Sequence, residues 1–248
     1  MEMDKTSFSV IIPAHNEEKY VARCIQSIKV AGKLYGRTPE IIVVCNRCTD
    51  RTSEIAAACG AKVVEDESRC IGHVRNTGIR AASGNVIVTI DCDNRMTRGT
   101  LVEIEKLLST GLYIGGGAPI RMERRSSFPL RCNEALCQIG FRLTGLYCGI
   151  FWAEKKTFEA VGGFSEIKVM EDVETAKKLK RLAARSGKQY TVLRHNYLIN
   201  STRKFDQMGD WLYAKLLIQN ANAFLQAALG NKDKLNALLD TLFYDYNG

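Results

Sequence analysis

The sequence predicts an α/β fold in which a mostly parallel central sheet is flanked by helices, within a single domain that carries a C-terminal helical extension. Short β-branched runs alternate with segments of helical periodicity, which is the pattern of a parallel sheet covered on both faces. The chain has 248 residues, the size of one large α/β domain. Hydrophobic residues make up 46% and charged residues 25%, so neither a disordered nor a fibrous protein is indicated.

The first part of the chain alternates between strand and helix without interruption. The predicted elements are a strand at 8–12, a helix at 17–30, a strand at 41–44, a helix from 49 or 50 to about 58, a strand at 61–64, a helix at about 72–82 and a strand at 86–90. Asp50 or Thr49 can cap the second helix, and Gly60 ends it. The strand at 86–90 is the most continuously apolar of these segments, which predicts a buried position.

The second part is less regular but returns to the same alternation. It predicts a helix at 97–108, a strand at 112–117, an apolar run at 151–152, a glycine turn at 162–163, a helix at 171–185, a strand at 190–193 and a helical tail at 206–244. We therefore expect a body over 1–205, with halves at about 1–95 and 96–205, and an extension over 206–248 that packs on it.

The formal charge of +8 and the pI near 9.0 favour anionic partners such as nucleotide phosphates or acidic lipid surfaces. The densest basic cluster, 121–125, is interrupted by Met122 and Glu123, so no nucleic-acid partner is predicted. Nine scattered cysteines predict reduced thiols. Neither a signal-peptide core nor an apolar stretch of about 20 residues is evident. We expect a cytoplasmic protein, either free or peripheral at the inner face of the membrane.

Asp91 and Asp93 follow the most apolar strand directly. Open parallel sheets bind ligands beyond the carboxyl ends of their strands. Two carboxylates flanking one residue suit a hard divalent cation such as Mg²⁺ or Mn²⁺, which leaves coordination positions for water and phosphate oxygens. The spacing alone is weak evidence for a metal site, because acidic pairs in loops are often solvated turn residues.

Several ordered motifs make the interpretation more specific. The segments are Phe8 to Glu18, Asn46 to Asp50, Arg75 to Gly78, Asp91 to Asp93, Gly162 to Phe164, and Glu171-Asp172. In this order they resemble the family 2 glycosyltransferases, over roughly residues 8 to 205. The resemblance implies the GT-A fold of nucleotide-diphospho-sugar transferases, with a nucleotide-binding first half and an acceptor-binding second half.

The same resemblance implies roles for individual residues. Pro13, Ala14 and Glu17 would surround the base and ribose of a UDP- or GDP-sugar. Asp93 would bind Mn²⁺ or Mg²⁺, and Asp91 would contact the ribose or the metal. Asp172 in the second acidic pair would be the general base that takes the proton of an acceptor hydroxyl. Without the family context, acids in the first turn of a helix are explained by the helix dipole.

Five further side chains are candidates with plainer alternatives. Asn46 stands where the family often has an acid that reads the base, and it is either a substitute or a turn residue. Arg75 either reaches the donor phosphates or lies on a solvated helix face. The family often carries a basic segment at this place that closes over the diphosphate, so the resemblance makes Arg203 and Lys204 candidate phosphate contacts. His195 could complete the metal shell, or it is a structural histidine.

The resulting hypothesis is a metal-dependent, inverting hexosyltransferase with a hydroxyl acceptor, either lipid-linked or a saccharide. The alternatives are a catalytically silent nucleotide-sugar binding module and a sugar-nucleotidyltransferase, although the latter would need a glycine-rich basic loop after the first strand. The tail carries an apolar surface with a cationic rim, which can pack on the body, on a second subunit or on a membrane. Cys45 and Cys48 have the spacing of half a zinc knuckle or a redox pair, but no second pair follows.

Overall fold

The structure is a computed structural model that describes residues 6–145, 149–167 and 171–211. In chain order its elements are β1 (Phe8–Ala14), α1 (Val21–Tyr35), β2 (Glu40–Asn46), α2 (Thr52–Ala58), β3 (Lys62–Asp66), α3 (Ile71–Ala81), β4 (Val86–Ile90), β5 (Arg95–Met96), α4 (Thr100–Ser109), β6 (Tyr113–Gly117), β7 (Ile120–Met122), α5 (Phe128–Thr144), β8 (Ile150–Glu154), α6 (Lys155–Ala160), α7 (Glu171–Arg185), β9 (Gln189–Val192), β10 (Leu198–Asn200) and α8 (Arg203–Met208). The predicted α/β class is confirmed.

The central sheet has seven strands in the order β3-β2-β1-β4-β8-β6-β9. Strand β8 runs antiparallel to β4 and β6, and every other neighbouring pair is parallel. Six strands therefore point the same way, and their carboxyl ends share one edge. The strand order reverses between β1 and β4, which creates a crevice at that edge, where sheets of this kind bind ligands.

Strand β1 shows why the predicted strands are almost uniformly apolar. Val10 and Ile12 belong to a core with helix α1, whereas Ile11 belongs to a second core on the other face of the sheet. All three side chains are fully buried. A sheet covered by helices on both faces has no solvent-facing positions in its central strands, so continuous apolar runs replace the alternating pattern.

Helix α1 begins at Val21, four residues later than the periodicity predicts. Residues 18–20 form a turn instead, because side chains of the next strand-to-helix connection hold the backbone just before it. The Glu17 N–H donates to the Thr52 hydroxyl (2.8 Å), and the Glu18 N–H donates to the Asp50 carboxylate (3.0 Å). Asp50 also accepts the N–H of Thr52 (3.0 Å), so its predicted structural role at the start of α2 is supported.

The sequence reasoning missed a second, three-stranded sheet with the order β5-β10-β7. Its strands have only two or three residues, too few for any period to show. Strand β10 pairs antiparallel with β5 and parallel with β7. Because β5 closely follows the acidic pair and β10 directly precedes Ser201, this small sheet brings the two ends of the site together.

Most of the predicted helical tail, from residue 212 onward, lies outside the described residues. Residues 206–208 belong to α8, which begins at Arg203, and the proposed boundary at 205 stays a prediction. Eight of the nine cysteines lie in the described part, and these eight are not joined in disulfides there. Among the described helices, none has the combined length and apolar character needed to cross a bilayer.

Candidate active site

The acidic pair lies at the carboxyl end of β4, beside the crevice between β1 and β4. The Asp91 Oδ1 accepts a hydrogen bond from the Arg75 Nη2 (2.7 Å), and the Asp93 Oδ2 lies 3.1 Å from the Arg203 Nε. Cys92 between them points into the core and is 2% exposed. The alternation of a strand end thus places both carboxylates on the side away from the core.

Each of these carboxylates keeps an oxygen for a ligand. Within the described residues, neither the Asp91 Oδ2 nor the Asp93 Oδ1 has a hydrogen bond or ion pair. Burial raises the pKa of Asp93, although Arg203 opposes this effect, and the Asp91 charge raises the pKa further. A buried carboxylate beside a second one is stabilised by a cation, so two hard oxygen donors at this position fit Mg²⁺ or Mn²⁺.

Arg75 connects the first half of the chain to the second. Its Nη1 donates to the Glu171 Oε1 (2.8 Å) while its Nη2 holds Asp91, and its guanidinium lies 5.2 Å from the Phe164 ring centroid. Arg75 is only 5% exposed, so the solvated-face interpretation is wrong. Its terminal nitrogens contact carboxylates here, and its contact with donor phosphates stays a prediction.

Glu171 and Asp172 start helix α7 but have different environments. The Glu171 side chain is 12% exposed, and burial raises its pKa even though Arg75 lowers it. The Asp172 Oδ1 accepts the N–H of Val173 (2.6 Å), and no hydrogen bond reaches its Oδ2 from the described part of the chain. Asp172 is half-buried, whereas Arg75 holds Glu171, and the role of Asp172 as general base stays a prediction.

Glu17 and Arg203 meet across the crevice. The Arg203 Nη1 donates to the Glu17 Oε2 (2.8 Å), and its guanidinium lies over the Tyr20 ring, 5.3 Å from the centroid. Burial raises the pKa of Glu17 to about 7, although Arg203 lowers it and Asp93 raises it. The structure therefore brings two predicted donor contacts, 186 residues apart, into one cluster with the acidic pair.

Lys204 and the backbone around it complete the basic side of the cluster. Burial and the neighbouring Arg203 charge lower the pKa of Lys204, whereas Asp93 raises it. Asn94, which the sequence reasoning missed, accepts the Ser201 N–H at its Oδ1 (2.9 Å) and is 4% exposed. This bond joins the acidic loop to the basic segment, and an asparagine just after an acidic pair was its only sequence signal.

The ends of β1 and β2 carry the residues that are predicted to face the base. Pro13 and Ala14 are the last residues of β1 and pair with β2. The Asn46 Nδ2 donates to the backbone oxygens of Asp66 (2.9 Å) and Ser68 (2.7 Å). The Asn46 amide N–H groups are thus used within the protein, so any contact with a base is left to its Oδ1. Its role as a donor contact stays a prediction.

His195 lies after β9 at the same edge of the sheet. Its backbone N–H donates to the Glu103 carboxylate (3.1 Å), which also accepts the N–H groups of Arg194 (2.6 Å) and Asn196 (2.9 Å). Glu103, which the sequence reasoning missed, is 8% exposed and fixes this loop. In the described ranges no group of three or more His, Cys, Asp or Glu side chains could hold a metal ion, and ligation by His195 stays a prediction.

Arg23 is a further missed contact with the acidic loop. Its Nη2 donates to the Asp93 carbonyl oxygen (3.0 Å), its Nη1 donates to Glu123 (3.1 Å), and its guanidinium lies over the Tyr20 ring. An arginine in the first turn of α1 has no sequence feature that distinguishes it from a solvated one. Its partners lie 70 and 100 residues away, so only the tertiary structure reveals them.

The crevice, the paired acids at its edge and the facing basic segment define a protein with the GT-A fold of nucleotide-diphospho-sugar transferases. The model of the family described as "Glycosyl transferase family 2" matches residues 9–150, more than half of the chain. The chain belongs to glycosyl transferase family 2. The predicted family and fold are thereby confirmed.

Curated relatives match over part of their lengths. The hexosyltransferase Agl6 of low-salt glycan biosynthesis in Haloferax volcanii is 36% identical over 90 residues, which is 35% of this chain and 21% of that protein. The glycosyltransferase AglE of the same organism is 31% identical over 117 residues, 44% of this chain and 38% of that protein. The chain thus spans between about a fifth and two fifths of these relatives.

Solved structures support the fold. TarS residues 1–349 from Staphylococcus aureus, in complex with UDP-GlcNAc, align with a TM-score of 0.62 at 19% identity, over 79% of this chain and 58% of that one. The mannosyltransferase PcManGT from Pyrobaculum calidifontis, in complex with GDP-Man and Mn²⁺, aligns with a TM-score of 0.64 at 20% identity, over 79% and 56%. At these identities the similarity establishes the architecture.

Proposed function

We propose that this protein transfers a sugar from a nucleoside-diphosphate-sugar donor to a hydroxyl acceptor, with a divalent cation and with inversion at the anomeric carbon. The observation that carries the proposal is the placement of Asp91 and Asp93 at the end of β4, within the crevice and opposite Arg203. Complexes of structural neighbours with UDP-GlcNAc and with GDP-Man and Mn²⁺ support a donor of this class.

The donor side of the reaction follows from the charges. Asp91 and Asp93 would hold Mn²⁺ or Mg²⁺, which supplies positive charge that neutralises the diphosphate leaving group. Arg203 and Lys204 add fixed positive charge at the same edge. Arg203 needs little reordering when a donor binds, because Glu17 and the Tyr20 ring already hold its guanidinium in place.

The acceptor side requires a base. In a single displacement, the acceptor hydroxyl oxygen bonds to the anomeric carbon, the bond to the diphosphate oxygen breaks, and the hydroxyl proton passes to Asp172. Asp172 suits this role better than Glu171, because Arg75 holds Glu171 through an ion pair of 2.8 Å. One displacement inverts the anomeric centre, and the nucleoside diphosphate leaves.

The test is turnover of a panel of UDP- and GDP-sugars with Mn²⁺ or Mg²⁺, measured as nucleoside diphosphate release, with Asp93→Ala and Asp172→Asn as variants. Asp93→Ala should lose metal-dependent donor binding in a thermal-shift assay. Asp172→Asn should keep donor binding and lose about 100-fold or more in kcat, the scale of general base catalysis.

Glu159→Gln is the matched control. Glu159 is an exposed carboxylate on α6. Helix α6 follows the carboxyl end of β8, which runs antiparallel to its neighbours, so it lies at the edge of the sheet opposite to the proposed active site. Unchanged turnover in both Asp variants would overturn the proposed mechanism. A product that retains the donor's anomeric configuration, determined by NMR, would overturn inversion alone.

A further inference from the structure

A second concave site lies between β7 and α5, beside the proposed active site. It is a cavity of about 340 Å³. Its lining consists of Arg121, Arg125, Arg131, Glu134, Ala135 and Gln138. We name it the arginine pocket. None of its residues belongs to the donor or metal cluster described above.

The arginine pocket carries a surplus of positive charge. The Arg125 Nη2 lies 3.2 Å from the Glu134 Oε1, and the Glu134 Oε2 accepts the Met122 N–H (3.0 Å), so the single acid of the pocket already has partners. Neither Arg121 nor Arg131 forms an ion pair with any described residue. Three arginines and one glutamate therefore leave a net charge of +2.

The geometry of the pocket suits a phosphate group. The Arg121 guanidinium lies over the Tyr197 ring, 4.1 Å from the centroid, which restricts its orientation before any ligand arrives. Guanidinium groups bind phosphate oxygens through paired N–H donors. A phosphate monoester carries a charge of about −1.5 to −2 at neutral pH, which matches the surplus of the pocket.

Hydrogen bonds connect the neighbourhood of the pocket to the acidic loop of the proposed active site. Glu123, which directly follows β7, accepts hydrogen bonds from Arg23 (3.1 Å) and from Arg95 (2.8 Å). Arg23 in turn donates to the Asp93 carbonyl oxygen (3.0 Å). Strand β7 also pairs with β10, which leads into the segment that carries Arg203. A molecule with its phosphate in the pocket can therefore extend toward the reacting groups.

We propose that the arginine pocket binds a phosphate group on the acceptor, so that the acceptor is a phosphate-bearing hydroxyl compound; this specifies the acceptor class of the transferase proposed above and rests on that function. The phosphate can belong to a soluble metabolite or to a lipid. Large apolar side chains on α5 next to the pocket suit a lipid source: Phe128 is 64% exposed, Leu136 60% and Ile139 52%.

The first experiment measures binding of glycerol 3-phosphate by calorimetry at constant ionic strength, with glycerol as the probe that lacks phosphate. The double variant R121Q/R131Q should raise the dissociation constant about tenfold or more, because two charge-assisted contacts are lost. The control R98Q/R185Q removes the same charge from exposed arginines outside the pocket and should change it less than about twofold.

The same titration is repeated with saturating UDP or GDP and Mn²⁺. Equal weakening by both double variants would overturn the proposal, because the effect would then be general electrostatics. Loss of glycerol 3-phosphate binding when nucleotide is present would also overturn it, because the phosphate would occupy the donor site. No binding of glycerol 3-phosphate or phosphatidic acid to the wild-type protein would overturn it as well.

A vesicle assay identifies the source of the phosphate. Sedimentation with phosphatidylcholine vesicles that contain phosphatidic acid, lost in R121Q/R131Q and absent with phosphatidylcholine alone, supports a lipid phosphate. Binding of glycerol 3-phosphate without vesicle binding supports a soluble one. Nucleotide binding is measured on the same samples, so that a wild-type protein that binds phosphate but no nucleotide would refute the transferase while leaving the pocket intact.

Discussion

Replacing Arg75 by Met should destabilise the protein more than any single exposed substitution, because it removes the shared partner of two carboxylates. Arg75 is 5% exposed and lies within 2.8 Å of Asp91 and Glu171. Although burial opposes it, these two charges raise the pKa of Arg75. Without the guanidinium, Glu171 keeps a buried charge with no other ion-pair partner among the described residues.

The size of the loss follows from the burial of each carboxylate. Removing one partner of a buried ion pair costs about 3–5 kcal/mol. The Asp91 side chain is 37% exposed and is screened by water, whereas the Glu171 side chain is only 12% exposed. Most of the loss therefore comes from Glu171, and we expect about 3 kcal/mol, or a fall in Tm of about 10 °C for a domain of this size.

Urea unfolding at pH 8 without nucleotide or metal measures this loss, and a double-mutant cycle tests its cause. If the unpaired Glu171 charge is responsible, adding Glu171→Gln to Arg75→Met should recover about 1 kcal/mol or more. Arg75→Lys, which keeps the charge but not the forked geometry, should lose about half as much as Arg75→Met. Additive effects of the two substitutions, within about 0.5 kcal/mol, would refute the reasoning.

Three further predictions concern single groups. The native pKa of Glu17 is about 7 and its unfolded value is near 4.5, so the free energy of unfolding should fall by on the order of 3 kcal/mol as the pH rises between these values. Urea unfolding of metal-free Glu17→Gln across this pH range should lack that slope, and an unchanged slope contradicts the assignment. A hydrogen bond from the Cys45 thiol lowers the pKa of Cys48 to about 6. Cys45→Ala should therefore slow the alkylation of Cys48 by iodoacetamide at pH 7 about tenfold or more, and an unchanged rate counts against this pairing. Hydrogen bonds from Ser68 and Thr77 outweigh burial and lower the pKa of Asp66. Asp66→Asn should therefore lower the free energy of unfolding by about 2 kcal/mol at pH 7, and by progressively less as the pH falls below about 4. A difference between variant and wild type that does not change with pH, measured by urea unfolding, would contradict this.

The sequence predicted those parts of the fold that local patterns encode. Strand β4 and helix α7 have the predicted bounds, because a fully buried strand and a long amphipathic helix leave clear periodic signals. The three short strands of the small sheet left none. The late start of helix α1 was also invisible, because it depends on hydrogen bonds that the Glu17 and Glu18 N–H groups donate to Thr52 and Asp50, more than 30 residues away.

The candidate site likewise combines residues that local sequence patterns reveal with contacts that they do not. Asp91 and Asp93 were identifiable because they follow a buried strand, and the ordered motifs added Glu17 and Asp172 as predictions. Asn46 looked like a group able to donate and accept, but its N–H groups are used by the end of β3. That detail depends on which strand lies beside β2, and no local pattern encodes it.

By itself, the sequence determined the α/β class, the family and the strand end that carries the acidic pair. Only the tertiary structure decided which charges meet: Arg75 joins groups 16 and 96 residues away, and Arg203 joins Glu17 across 186 residues. The reason is physical. Burial patterns repeat along the chain with the period of a strand or helix, whereas the partner of a buried charge is set by the order and direction of strands in the sheet.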